Sequence, residues 1–539
     1  MDTAILVMII LCIIYVPIWV WVWRCPEQAA NFHLVKYGPT IMIKTHLGIK
    51  TMDKLGKYHR FWRVFGFLSK LISAILFFIM MYMLIVSLIA LPSRIGSGGI
   101  GIQYALAIPG FNPMLPLTYG IVALFFAMVV HEMGHGIQSR ANDCKVDSTG
   151  LLYGVVPLGA FCEPNEEELS QLSRRPQMDI YSAGISVNTV CAVIAIAIML
   201  LICTAITPIE SEGGERLDLP GIYSVDADSP GFDSGIPTSA LITGIKYADG
   251  TEYHSIDVLT SKKTVAFTSD IDINPLSYYK LQYLLQDGQY HESGQLQMGA
   301  LIKSVTNNSP AKQAGLEPLN FLYSITLTSG SAEPVEYMIS NSYDFMSVMS
   351  KSHAGDLATI TTVTVSGDGH MEKEVHEQVT LTASGGQGYL GVAVTNAGFT
   401  FTTPQIMLDT ATQPFENCSD PIEYVQALLG YLSGPLNGMD PIPNAITWWY
   451  DTPFGDITWV IVKMLYWLFW LDILLAISNA LPAYPFDGGF LFEGGINWLL
   501  ERLGFKEEEK RKKLSDSISS SISTIVLVMF FLVLLAFVI

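Results

Sequence analysis

Six apolar runs, at about 4–23, 64–91, 117–138, 181–207, 455–481 and 518–539, punctuate this chain of 539 residues. Crossing about 30 Å of hydrocarbon takes roughly 20 helical residues. In lipid every backbone amide must find its partner inside the segment, which leaves helices as the form for runs of this kind. The expected fold class is therefore a polytopic α-helical membrane protein with about six transmembrane helices. Only 15% of residues are charged and 50% are hydrophobic, against about 25% charged in soluble proteins. The lipid bilayer is thus an expected partner. At a net charge of -19 phosphate is repelled, so no nucleic-acid partner is expected. Seven scattered cysteines without a CxxC pair exclude a disulfide framework or a cysteine-built zinc knuckle.

Basic residues between the runs set an orientation. Residues 24–63 carry Arg24, Lys36, Lys44, Lys50, Lys54, Lys57, Arg60 and Arg63 against Glu27 and Asp53. Residues 482–517 carry Arg502, Lys506, Lys510, Arg511, Lys512 and Lys513, whereas 92–116 hold only Arg94. With the two basic segments in the cytoplasm, both termini and the long segment 208–454 fall outside, in a multi-pass arrangement in the cell membrane. The first run, ending at Trp21, Trp23 and Arg24, reads as a retained anchor rather than a cleaved signal. Segment 208–454 holds 29 acidic and 9 basic residues, so the acidity of the chain describes one solvated exterior region. The organisation expected is 1–116 with two helices and a basic loop, 117–207 as the first half of a membrane core, 208–454 outside, and 455–539 as the second half.

The exterior segment reads as an inserted β-rich region with an internal repeat. Ser229-Pro230-Gly231-Phe232-Asp233-Ser234-Gly235-Ile236 recurs as Ser309-Pro310-Ala311-Lys312-Gln313-Ala314-Gly315-Leu316. In each copy serine-proline opens a short helix, glycine closes it and a strand follows. The pattern resembles tandem PDZ domains, near 216–290 and 297–395. That resemblance implies capture of peptide termini by strand addition; two β-rich domains with no peptide groove in use is the other reading.

His131-Glu132-Met133-Gly134-His135 lies at the inner end of the third run. Residues four apart share a helix face. Two neutral imidazoles so placed hold Zn²⁺ at about 2.0–2.1 Å with Glu132 beside a bound water as general base. Ionisable groups in a span are costly and mark function. A third ligand is needed and no third histidine lies in a run, so a carboxylate is expected. Asp487, in Asn479-Ala480-Leu481-Pro482-Ala483-Tyr484-Pro485-Phe486-Asp487-Gly488-Gly489, is the leading candidate, with Glu163, Asp472 and Glu493 as competitors. Asp472, about ten residues inside the fifth run, is expected to pair with a polar neighbour.

HEMGH on one run and NxxPxxPxDGG on a later one resemble the site-2 protease family of intramembrane zinc metalloproteases. The likeness extends to Ser182-Ala183-Gly184-Ile185-Ser186-Val187-Asn188, similar to that family's GxxxN element, and to segment 148–163, similar to its membrane-dipping β-hairpin. An ordinary cytoplasmic loop is the competing reading of 148–163. Phe486 stands where the family usually has leucine. The resemblance implies one zinc ion on His131, His135 and Asp487, with Glu132 activating water and Asn479 orienting substrate or stabilising the oxyanion. It implies substrate contacts at Gly159, Ala160, Phe161 and Asn188, and single-span membrane proteins as substrates, cut within their transmembrane helices in regulated intramembrane proteolysis. Two other classes make different demands on the sequence. A catalytically silent scaffold binding client helices would lack a ligand or the base, and a metal transporter would continue polar groups across the third run, where Leu, Phe, Ala, Met and Val stand.

Overall fold

A computed structural model of the chain describes residues 3–94, 103, 109, 111–113, 115–154, 157–210, 218–261, 264–330, 332–365, 371–384, 386–416, 418–434 and 442–535. The hairpin tip at 155–156, the start of the first repeat at 216–217 and the end of the last apolar run at 536–539 lie outside the described residues. The chain divides into two compact units, one of Met1–Cys203, Leu428–Met439 and Ile457–Ile539, the other of Thr204–Ala427 and Asp440–Asp456.

The first unit is a helix bundle. Its long helices are α1 (Thr3–Arg24), α2 (His59–Arg94), α3 (Leu117–Ala141), α4 (Arg174–Cys203), α5 (Asp456–Asn479), α6 (Asp487–Arg502) and α7 (Glu508–Leu535). Among the described residues five helices are long and apolar enough to cross a membrane: His59–Leu91, Leu117–Ala141, Arg174–Cys203, Asp456–Asn479 and Glu508–Leu535. The α1 helix carries a shorter apolar stretch, Cys12–Arg24.

These helices are inside-out relative to soluble ones. On α2 the exposed positions are Val64, Leu68, Leu71, Ile75, Phe78, Tyr82, Ile85 and Ile89, while Ser69, Ser73, Leu76 and Leu84 are buried. On α3 Ile121, Val122, Phe125 and Phe126 face outward and Gly120, Ala123 and Ala127 face inward. The α7 helix buries a seam of Ser515, Ser519 and Ser523. Large apolar side chains turned out and small residues turned in is the arrangement that lipid imposes, because close backbone approach is what holds such helices together. The buried cluster of Leu76, Ile185, Ala476 and Ala480 joins α2, α4 and the end of α5.

Beside the bundle lies a four-stranded antiparallel sheet, ordered β1 (Leu34–Tyr37), β2 (Thr40–Thr45), β3 (Val146–Tyr153) and β4 (Pro157–Pro164). Segment 148–163 is thus the β3–β4 hairpin, and β4 forms one edge of the sheet. The hairpin is extended by 34–45, a pairing with no signal in the sequence. Gly150 is required there, since a Cβ would fall 1.9 Å from the Ile43 carbonyl oxygen.

The second unit is built on an antiparallel sheet whose main path runs 290–292, 278–284, 241–247, 221–225, 399–402, 392–396, 300–305, 321–328, 357–365 and 371–380. The sequence repeat is a structural one. Ser229 and Ser309 cap their short helices, accepting hydrogen bonds from the Phe232 and Lys312 amides. Each serine-proline turn is held by a glycine loop at equivalent points: the Asp226 amide donates to the Gly398 carbonyl at 2.9 Å, and the Thr306 amide donates to Gly391 at 2.8 Å. Two cores result, one including Ile222, Ile242, Tyr279 and Phe399, the other Ile302, Leu322, Phe345 and Ile360. The first core is closed by the strand 399–402, which pairs with 221–225 and follows the second repeat in the chain.

Gly391 and Gly398 have φ of +91° and +95°, and a Cβ on either would meet Ser309 or Ser229 at 2.2 or 2.0 Å. Gly391→Ala is expected to destabilise the β-rich unit by about 2 kcal/mol or more, from backbone strain and collision together. Adding Ser309→Gly, a change that costs a cap only a few tenths of a kcal/mol, should recover part of the loss in a thermal melt. An unchanged melt in Gly391→Ala would contradict the packing described.

Candidate metal centre

The α3 helix carries His131 and His135 on its buried face, one turn apart. The α6 helix begins at Asp487, where helix amides favour a carboxylate. Between α5 and α6 the chain turns back on itself so tightly that a Cβ on Gly488 would lie 2.5 Å from the Ala480 carbonyl oxygen, and one on Gly489 2.9 Å from the Tyr484 nitrogen. The Tyr484 amide donates to Ser523 Oγ of α7 at 2.9 Å, which fixes the turn to the bundle. The two glycines of the DGG string therefore seat Asp487.

Asp487 Oδ2 lies 3.1 Å from His131 Nε2 and 3.2 Å from His135 Nε2, and the two Nε2 atoms are 3.2 Å apart. His135 Nδ1 is 2.8 Å from the Ile180 carbonyl oxygen of α4. A carbonyl only accepts, so Nδ1 carries the proton and Nε2 presents its lone pair to the cluster. Lone pairs that converge in a buried space repel one another unless a cation lies among them. Gly184 of α4 makes room: a Cβ there would sit 2.4 Å from His135 Nε2 and 2.8 Å from His131 Nε2. Two imidazoles and one carboxylate oxygen, with a cradle beside them, fit the donor set of a catalytic zinc with an open position.

Glu132 Oε2 accepts a hydrogen bond from the Cys162 amide of β4 at 2.8 Å. Cys162 pairs with Thr149 of β3 on the other side of its strand, so this amide points away from the ladder and toward α3. Burial, then the Glu132 charge, push the Cys162 thiol up to about 12, and the thiol is not part of the His131, His135 and Asp487 cluster.

The other carboxylates are engaged elsewhere or isolated. Lys44 Nζ at 2.7 Å and Ser148 Oγ at 2.5 Å hold the Glu163 carboxyl below its usual range. Glu493 accepts from the Tyr484 hydroxyl at 2.7 Å. Asp472 is fully buried in α5, and among the described residues neither of its oxygens has a hydrogen-bond partner. The polar neighbour expected for it makes no hydrogen bond to either oxygen there. Asn479 closes α5 with its amide donating to the Leu475 carbonyl at 3.0 Å. Asn188 is fully buried and donates to the Ala127 carbonyl of α3 at 3.2 Å, so it ties α4 to the helix bearing the histidines. Gly159, Ala160 and Phe161 lie on the edge strand β4.

Three contributors escaped the sequence reading. The Ile180 carbonyl and the Cys162 amide are backbone atoms with no residue signature. Gly184 stood inside the quoted SAGISVN string, but its collision with both histidines emerges only when α4 is packed on α3.

A membrane bundle holding an HExxH helix against a later aspartate defines the class of membrane-embedded metallopeptidases. Residues 119–529 match the sequence model of peptidase family M50, the site-2 protease family, and the chain belongs to that family. The peptidases of this family are zinc metalloproteases. The chain is also 32% identical over 193 residues to a protein of Methanocaldococcus jannaschii described as uncharacterized protein MJ0971, covering 35% of this chain and 49% of that one. It thus spans about half the length of the curated relative it matches.

Gly184→Ala is expected to reduce bound zinc by an order of magnitude or more, with the far-UV helix signal unchanged; elemental analysis of purified protein at wild-type stoichiometry would contradict the cradle. Proline is tolerated where a strand amide faces away from its ladder, so Cys162→Pro removes one donor to Glu132 and leaves β3–β4 paired. It should slow cleavage on the order of tenfold with metal retained, while Cys162→Ala, which keeps the amide, should match wild type.

Proposed function

We propose that this protein is an intramembrane zinc metalloprotease that hydrolyses peptide bonds within the transmembrane helices of single-span membrane proteins. The observation that carries the reading is the convergence of His131, His135 and Asp487 within 4.8 Å inside the bundle, with Glu132 next to His131 on the same helix.

His131, His135 and Asp487 would hold the ion. Bound there, zinc would supply polarisation of the scissile carbonyl and acidification of the attacking water. Glu132 takes the proton of that water and returns it to the leaving amine nitrogen. The Cys162 amide holds one Glu132 oxygen, which leaves the other for the water. A helical substrate must first be unwound, since its carbonyls are shielded by their own hydrogen bonds; Gly159, Ala160 and Phe161 on the edge of β4 offer an extended segment somewhere to pair. Substrates with weak helices, rich in glycine or proline, follow from this requirement. Asn479 is assigned to orienting substrate or stabilising the oxyanion, and Asn188 to substrate contact.

From the basic segments we read the site as near the cytoplasmic face and the β-rich unit as outside. Its two repeats are read as PDZ-like domains, which receive peptide termini or exclude substrates whose exterior part has not been trimmed. This is the arrangement of regulated intramembrane proteolysis.

Full-length protein in detergent, incubated with a model single-span substrate, should cleave it, and Glu132→Gln should lower the rate at least 100-fold, in line with loss of a general base, with about one zinc in each protein. Equal rates in the two would overturn the assignment of Glu132, and absence of zinc from both would overturn the metal reading.

A further inference from the structure

A cleft in the helix bundle lies apart from the three clustered ligand atoms. A cavity of about 650 Å³ opens between the starts of α2 and α4 and the end of α6, lined by Phe67, Lys70, Arg174, Arg175, Gly495 and Trp498 among others. It shares Lys70, Met178 and Gly495 with a second cavity of about 270 Å³. The second is apolar and runs along Phe77, Phe78, Leu491 and Phe492 to Ala480 and Gly488, the residue after Asp487. A polar mouth thus continues into a greasy groove. Phe77 lies two turns beyond Lys70 on α2, about 10 Å deeper in the bilayer at 1.5 Å per residue.

The mouth carries a positive surplus. Lys70 pairs with the buried Asp179. Arg174 pairs with Glu501 at 2.6 Å in a half-exposed contact, the kind that contributes little and is readily exchanged. Arg175 is exposed and has no ion-pair partner among the described residues. The Arg502 guanidinium lies 5.4 Å over the Trp498 ring. Three cations line the mouth, Lys70 on α2 and Arg174 and Arg175 at the start of α4, with Arg502 beside Trp498 at the end of α6, against the carboxylates of Asp179 and Glu501.

We infer that this cleft binds an anionic glycerophospholipid, its phosphate at Arg174, Arg175 and Lys70 and one acyl chain in the groove beside Phe77, Phe78 and Phe492. Charge complementarity at the mouth and its continuity with an apolar groove argue for a lipid over a soluble anion or a peptide. The bound chain would lie against the turn that seats Asp487, so the lipid braces the helix bearing the third ligand. The inference concerns a site separate from the catalytic one and is read out by binding, so its failure is distinguishable from failure of the protease reading.

The test is native mass spectrometry of the detergent-solubilised full-length protein with dioleoyl phosphatidylglycerol and dioleoyl phosphatidylcholine. Wild type should prefer the anionic lipid on the order of tenfold or more, as about 1 kcal/mol per surplus cation implies. Arg175→Glu should lose most of that preference. Gly495→Leu should lower affinity for phosphatidylglycerol by a similar factor, because Gly495 lines both cavities and a Cβ there meets nothing within 4 Å. Lys506→Glu, on the separate basic stretch, should leave binding unchanged, and zinc content and circular dichroism should be as wild type in all variants. Equal binding of the two lipids, an undiminished preference in both cleft variants, or loss in Arg175→Glu with none in Gly495→Leu would each overturn the proposal. So would displacement of the lipid by millimolar inorganic phosphate or by a substrate-derived peptide, which would assign the cleft to a free anion or to substrate.

Discussion

Three polar ligand atoms gathered in the interior of a lipid-facing bundle are the constraint on which the rest of the first unit depends. Lipid supplies nothing to solvate two imidazoles and a carboxylate, so every nearby element is shaped to accommodate them. The α4 helix places a bare glycine against both histidines and lends the Ile180 carbonyl to fix one ring. The chain after α5 folds back so closely that only glycines fit behind Asp487. The inward seams of glycine, alanine and serine on α3, α4 and α7 follow from the same demand: helices must approach closely before groups on three of them can meet.

The β3–β4 hairpin solves a second problem, the placement of extended backbone beside membrane helices. Open sheet edges are tolerated at membrane depth only when they are paired or face a cavity. One side of the sheet is completed by 34–45, and part of the β4 edge is occupied by Glu132 itself, through the Cys162 amide. Glu132 is thereby held by the same edge strand that carries Gly159, Ala160 and Phe161. A shift of that strand would move Glu132 with it.

The outline of this architecture was legible in the sequence because membranes impose simple patterns. Apolar runs of about 20 residues, the i, i+4 histidines and the DGG string after paired prolines each report a local requirement. The repeat about Ser229 and Ser309 was legible for the same reason, since a serine-proline cap is a local device. What the sequence did not carry is long-range. Nothing about 34–45 announces that it pairs with β3, because four to six mixed residues look alike in a loop and in an edge strand. That Asp472 finds no hydrogen-bond partner among the described residues was likewise invisible, since its position two turns before Asn479 does not reveal which neighbours the other helices bring. Four carboxylates competed on paper for the third ligand position; helix packing, and not chain order, separates Asp487 from Glu163 and Glu493.

The strand 399–402 has a consequence for how the second unit comes into being. It closes the core around Ile222 and Tyr279, yet it is made after every residue of the second repeat. The earlier repeat is therefore the outer shell of a nested pair and the later one its insert. During synthesis from the amino terminus, the part that emerges first waits for its last strand until the inserted part has been made, and the insert is the first able to complete a core. The order of maturation in this unit is the reverse of the order of translation.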